Sequence, residues 1–101
     1  GIMFWLELKT STKVNKAKLS AFQKSWHFSH SLQGGRSFIM HQILEERLIC
    51  LFPSSIVVSI AALSPQHASK TWDLPASPAS WTEMLDYILH SPLQKPAIPE
   101  A

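Results

Sequence analysis

The chain reads as an α/β domain, a mixed three-stranded sheet with flanking helices. Three observations predict it. An apolar run, Gly1-Ile-Met-Phe-Trp-Leu-Glu-Leu-Lys-Thr10, opens the chain, and two further runs, Arg36 to Gln42 and Arg47 to Phe52, are rich in bulky apolar residues. Between the first and second lies a stretch with both a helix start and a helix stop. At 101 residues and 46% hydrophobic content, the chain suffices for a single thin core.

The first strand is expected at about residues 2 to 10. Side chains alternate along an extended strand, so Ile2, Phe4, Leu6 and Leu8 share one face while Met3, Trp5, Glu7 and Lys9 share the other. A polar basic loop follows from Ser11 to Lys18. A helix is then predicted over about 20 to 33. Ser20 is a good N-cap and Gln23, three places on, completes a capping box. Phe22 and Trp26, one turn apart, are the expected buried stripe, and Gly34-Gly35 ends the helix. Strands at about 36 to 42 and 47 to 52 come next, joined by a turn at Ile43 to Glu46.

Leu48 to Leu63 is the most hydrophobic segment. Its sixteen or so residues, interrupted by Pro53 and by serines, fall short of the roughly twenty that a membrane span needs. A buried strand, a turn at Pro53 and a helix from about 54 to 63 capped by Ser54 or Ser55 fit better. The division expected is a core over 1–63, a proline-rich linker over 64–79, and a C-terminal helix and tail over 80–101. Ser80-Trp81-Thr82-Glu83 reads as the capping box of that last helix, about 80 to 90, with Trp81, Leu85 and Ile88 or Leu89 as its buried stripe. The tail from Ser91, with Pro92, Pro96 and Pro99, is expected to fray. No basic region precedes an apolar stretch at the amino end, so no signal peptide is read.

Glu7 and Lys9 are the chemically informative pair. Charges in an apolar strand are costly unless they have a purpose. Neighbours on one face, they suit a carboxylate that holds a hard divalent cation and a lysine that touches the attacking water or a phosphate. The ordinary alternative is a solvated strand end. The net charge of +2 is unevenly spread: residues 8 to 36 contain Lys9, Lys13, Lys16, Lys18, Lys24 and Arg36 and no acid. Such a basic half suits a nucleic-acid backbone, or is simply a solvated loop. Cys50 reads as a small core residue in a chain without a second cysteine for a disulfide. His27, His30 and His41 are read as surface or interfacial side chains, because zinc needs three or four matched ligands.

Phe4-Trp-Leu-Glu-Leu-Lys-Thr10, then Leu19-Ser20-x-x-Gln23-x-x-Trp26, then Gly34-Gly35-x-Ser37-Phe38-Ile39 resembles the PD-(D/E)XK nuclease superfamily. Within it the likeness is to VRR-NUC-type and phage Holliday-junction-nuclease-like proteins, over about residues 1 to 52. The resemblance implies a restriction-endonuclease-like core, here partial, with Mg²⁺ or Mn²⁺ held by Glu7 and the Leu8 main-chain carbonyl. It implies Lys9 as the residue that orients or activates water, and Gln23 as catalytic support, a role that competes with its capping box. The family pattern places an Asp ahead of E-x-K. No Asp precedes Glu7, and the reading expects an N-terminally incomplete nuclease core. By residue type, Glu45, Glu46, Asp73, Glu83 and Asp86 are the candidates for a second carboxylate.

The functional expectation, for the intact parent protein, is metal-dependent hydrolysis of DNA phosphodiesters, with branched DNA as the implied substrate, in a phage or prophage setting and hence the bacterial cytoplasm; a chain truly lacking the upstream Asp is expected to be inactive. DNA contacts are expected from Lys13, Lys16, Lys18, Lys24 and Arg36, and a homodimer would suit symmetric junctions. The alternatives are a catalytically inactive DNA-binding remnant and a protein-interaction module built on the apolar helices.

Overall fold

The computed structural model describes residues 3–14, 16–57, 60 and 62–92. Their order is β1 (Phe4–Ser11), β2 (Ala17–Lys18), α1 (Ala21–Leu32), β3 (Arg36–Ile43), β4 (Leu48–Pro53), α2 (Ser54–Val57), β5 (Ala62–Leu63), a 3-10 turn (Pro65–His67), β6 (Lys70–Asp73) and α3 (Pro78–His90). The expected tail beyond Pro92, and Ile2 at the start of the first strand, lie outside the described residues.

The α/β class is as read, but the mixed sheet has four strands, in the order β1-β3-β4-β6. β1 runs parallel to β3, and the remaining neighbours are antiparallel. A parallel pair needs a crossover, and α1 supplies it. β2 and β5 form a separate small ladder. The segment expected as a linker is therefore corrected: Lys70–Asp73 completes the sheet against β4, with Trp72 only 8% exposed. The flanking prolines and small polar residues masked a four-residue strand whose only large apolar side chain is Trp72.

Helix boundaries follow local chemistry. Ser20 Oγ accepts from the Gln23 N–H at 3.1 Å while Gln23 Oε1 accepts from the Ser20 N–H at 2.9 Å, the capping box as read. At the other end Gly34 takes a positive φ of 81°; its N–H donates to the Ser31 carbonyl, and that of Gly35 to the His30 carbonyl. Those paired bonds close a Schellman motif, which favours glycine at the left-handed position. α3 starts earlier than expected, because Ser77 rather than Ser80 caps it and Pro78 fills its first turn. The helix expected over 54–63 is helical only at Ser54–Val57. Ala62 and Leu63 pair with β2 instead, and residues 58, 59 and 61 lie outside the described set.

Each face of the sheet has its own core. On one side Ile39, Ile43, Cys50 and Phe52 pack with Val57, Leu63 and Ala17. On the other, Phe38, Met40, Ile49, Leu51 and Trp72 pack with Met84 and Ile88 of α3. Strand alternation separates the two sets. The helical stripes differ from those expected. Phe22 is 79% exposed, and α1 instead buries His27 and Ser31. Trp81 and Leu85 are about half exposed, whereas Met84 and Ile88, four apart, face the sheet. No described helix is long and apolar enough to cross a membrane.

Candidate functional site

β1 and β3 present their odd-numbered residues to the α1 side. By register Trp5 lies beside Ser37, Glu7 beside Ile39, Lys9 beside His41 and Ser11 beside Ile43. Glu7 and Lys9 thus project on one face, with Lys9 Nζ 3.6 Å from Glu7 Oε2 and each side chain about a quarter exposed (24% and 25%). That separation is an ion pair without a hydrogen bond. Glu7 Oε2 has no hydrogen-bond partner among the described residues.

The second carboxylate oxygen faces α1. Glu7 Oε1 is 3.8 Å from His27 Nε2, and that nitrogen too lacks a hydrogen-bond partner. His27 is fully buried, and its Nδ1 lies 2.6 Å from Ser54 Oγ, which in turn bonds to Ser37 Oγ. A file of polar groups therefore runs from Glu7 through His27 to the serine pair. Burial is the main cause holding the His27 pKa below the ordinary histidine value; the Glu7 charge opposes it, and His30 and Lys9 assist it. His41, bonded through Nε2 to Ser11 Oγ at 2.8 Å, is also lowered, chiefly by burial and then by Lys9, against Glu46.

A cleft of about 350 Å³ opens over this group, lined by Trp5, Glu7, Phe22, Gln23, Trp26 and His27. Its aromatic wall is built in series. Trp5 and Trp26 have ring centroids 5.2 Å apart, and Trp26 stacks on His30 at 4.8 Å. Gly35 makes the last ring possible, because a Cβ there would run into the His30 imidazole.

Of the residues singled out from sequence, Glu7, Lys9 and Gln23 come together. Gln23 lines the cleft, but its carbonyl oxygen is taken by the cap. The Leu8 side chain points to the other face and is 68% exposed. Lys13, Lys16 and Lys18 are exposed on the connection between β1 and α1, and Lys24 is half-buried on α1. None of these four is in an ion pair among the described residues. Arg36, expected on a nucleic-acid surface, turns instead to the C-terminus of α3, where it donates to the carbonyls of Ile88 at 2.9 Å and Ser91 at 2.8 Å. An even-numbered β3 residue must face that side, and cations suit a helix C-terminus.

The candidate second carboxylates are dispersed. Glu45 and Glu46 lie in the turn beyond β3, and Asp73 ends β6 at the far edge of the sheet. Glu83 pairs with Lys70 and Asp86 with His90, both on α3 across the sheet. Among the described residues no group of three or more His, Cys, Asp and Glu could hold a metal ion.

The expectation of surface histidines fails for His27 and His41, which are 0% and 1% exposed. His27 carries a signal in the sequence, since it lies four residues after Gln23 and so shares its helix face. Ser37 and Ser54 carry none, because only tertiary folding brings β3 and α2 to the same imidazole. No family model, curated protein or solved structure matches this chain.

Proposed function

We propose that this chain is a divalent-metal-dependent endonuclease-like protein with a restriction-endonuclease-like core of the PD-(D/E)XK type, hydrolysing DNA phosphodiesters, with branched DNA as the first substrate to try. One observation supports it above the rest. Glu7 and Lys9 stand side by side on the strand that feeds a parallel β-α-β unit, and Glu7 opens into a cleft that also contains Gln23.

The donor chemistry fits in its minimal form. Mg²⁺ is commonly held by one or two carboxylates, with waters and substrate phosphates completing its shell. Lys9 stands at Oε2 and leaves Oε1, on the His27 side, as the oxygen through which Glu7 would hold Mg²⁺ or Mn²⁺, with the Leu8 main-chain carbonyl as the further oxygen. When bound, such an ion polarises the phosphoryl oxygens and makes water a better nucleophile. Lys9 places a positive charge where the non-bridging oxygens gather negative charge in the transition state, and it orients the attacking water. The water oxygen bonds to phosphorus as the bond to the 3′ oxygen breaks; the attacking water releases a proton to solvent and the leaving oxygen takes one from solvent, giving a 5′ phosphate and a 3′ hydroxyl. Gln23 has an amide nitrogen to offer a phosphate oxygen while its carbonyl keeps the helix cap. Lys13, Lys16 and Lys18 would follow the backbone.

The whole chain, given a labelled four-way junction and a linear duplex with Mg²⁺ or Mn²⁺, is expected to cut. Lys9→Ala should slow cutting by about a hundredfold or more while circular dichroism stays unchanged. Cutting unaffected by Lys9→Ala would remove the assignment. The single clustered carboxylate favours a second reading, an inactive DNA-binding protein. Salt-sensitive DNA binding by a chain that never cuts would select it over the nuclease.

A further inference from the structure

One unpartnered nitrogen of the cleft, His27 Nε2, points to a second protein ligand. Two polar atoms that face each other at 3.8 Å, His27 Nε2 and Glu7 Oε1, are too far apart for a hydrogen bond. With metal–ligand bonds of about 2.1 Å, two ligands of one ion lie about 3.0 Å apart at a right angle and about 3.4 Å apart at a tetrahedral angle, so the two side chains would draw together by a few tenths of an ångström to share an ion. His27 is fully buried and its Nε2 has no hydrogen-bond partner among the described residues. It lines the same cleft as Glu7.

From this geometry we infer that His27 Nε2 and Glu7 together ligate the divalent ion, as a mixed nitrogen and oxygen site that prefers Mn²⁺ to Mg²⁺. The inference deepens the proposed function and rests on its reading of Glu7 as a metal ligand. Imidazole suits transition metals, while Mg²⁺ favours oxygen donors and sheds water reluctantly. The serine pair behind the ring has the features of an outer shell. A ligating imidazole usually donates its other N–H to an acceptor that fixes ring and tautomer, and Ser54 Oγ lies 2.6 Å from Nδ1. Ser54 and Ser37 are bonded in series, and two hydroxyls in series can donate in either direction. With an ion held at Nε2, the ring proton would sit on Nδ1, where Ser54 Oγ would accept it and donate onward to Ser37. Lys9 stays on the other carboxylate oxygen, Oε2.

Mn²⁺ alone and Mg²⁺ alone, titrated into the whole chain by calorimetry, test this. Mn²⁺ is expected to bind about tenfold or more tightly than Mg²⁺. Glu7→Gln should abolish binding of both ions, and His27→Gln should erase the preference for Mn²⁺. Ser54→Ala should weaken Mn²⁺ roughly ten- to a hundredfold. A readout on the unaltered chain covers the case in which the buried substitutions unfold it: diamagnetic Zn²⁺, standing in for Mn²⁺, should shift the His27 Nε2 resonance in ¹⁵N NMR and fix the ring proton on Nδ1, leaving the resonances of His67 and His90 in place. Equal affinity for Mn²⁺ and Mg²⁺ with an unshifted His27 Nε2 overturns the inference, even if the chain cuts DNA with Mg²⁺. Preferential Mn²⁺ binding with a shifted His27 Nε2 in a chain that never cuts DNA upholds it and removes the nuclease reading alone.

Discussion

The two faces of the sheet are built to different rules from the same strands. On the α3 side, Phe38 and Met40 of β3 meet Ile49, Leu51, Trp72, Met84 and Ile88, an apolar layer. On the α1 side the same strand turns Ser37 and His41 inward, next to Glu7 and Lys9 of β1, and α1 adds His27. That side stays apolar farther across the sheet, where Ile39, Ile43, Cys50 and Phe52 pack with Val57 and Leu63. The polar groups are thus concentrated where β1 meets α1. A domain this small spends one face on cohesion, and a corner of the other is free to be polar because the rest of the core holds the sheet.

Adjacent residues of β3 allow the sharpest break of this comparison. Phe38→Ala removes a fully buried ring from the apolar layer and should cost about 3–5 kcal/mol, a large share of the stability of a small domain. Ser37→Ala, one residue along and on the opposite face, should cost about 1 kcal/mol through the lost bond to Ser54. Urea unfolding of the two variants measures the contrast, and equal losses would show that the two faces carry the same load.

Acid should act on the polar face through its two buried histidines. Burial is the chief cause holding both His27 and His41 below the ordinary histidine pKa of 6.5. The unfolded chain then binds protons that the folded chain refuses, so their contribution to stability is complete above 6.5 and is lost as pH falls below it through the folded values. Urea midpoints should therefore drop between about pH 8 and about pH 5.5, and His41→Asn should shrink the drop. A rise on acidification would mean that a charged His27 pairs with Glu7 strongly enough to outweigh burial.

The smallest effect belongs to α3. Trp81→Ala should change stability by no more than about 0.5 kcal/mol, because the ring lies on the exposed side of the helix, whereas Met84→Ala should cost about 2–5 kcal/mol. Thermal melts distinguish the two, and a large loss at Trp81 would show that this face is covered by something in solution.

Much of this was legible in particular residues. Ser20 and Gln23 specify a helix start by bonds within four residues, Gly34-Gly35 specifies its end, and the period-two alternation of residues 4 to 9 puts Glu7 and Lys9 together without reference to any other part of the chain. Cys50 in its apolar run could only be core. The fourth strand was not legible, because Lys70–Asp73 is too short and polar to announce itself and gains its pairing only from β4. Nor were the helix faces: Phe22 and Trp81 are larger than His27 and Met84, yet the orientation of each helix on the sheet buries the latter pair.

What the sequence determined alone, then, is whatever depends on neighbours along the chain: caps, alternation, and the pairing of an acid with a base on one strand face. Tertiary structure decided which histidines were buried, where Arg36 was spent, and that Ser37 and Ser54 would meet behind His27. The physical reason is range. A hydrogen bond within one turn is encoded by spacing, whereas a contact between residues 17 or 27 positions apart exists only after the sheet and its helices have closed around it.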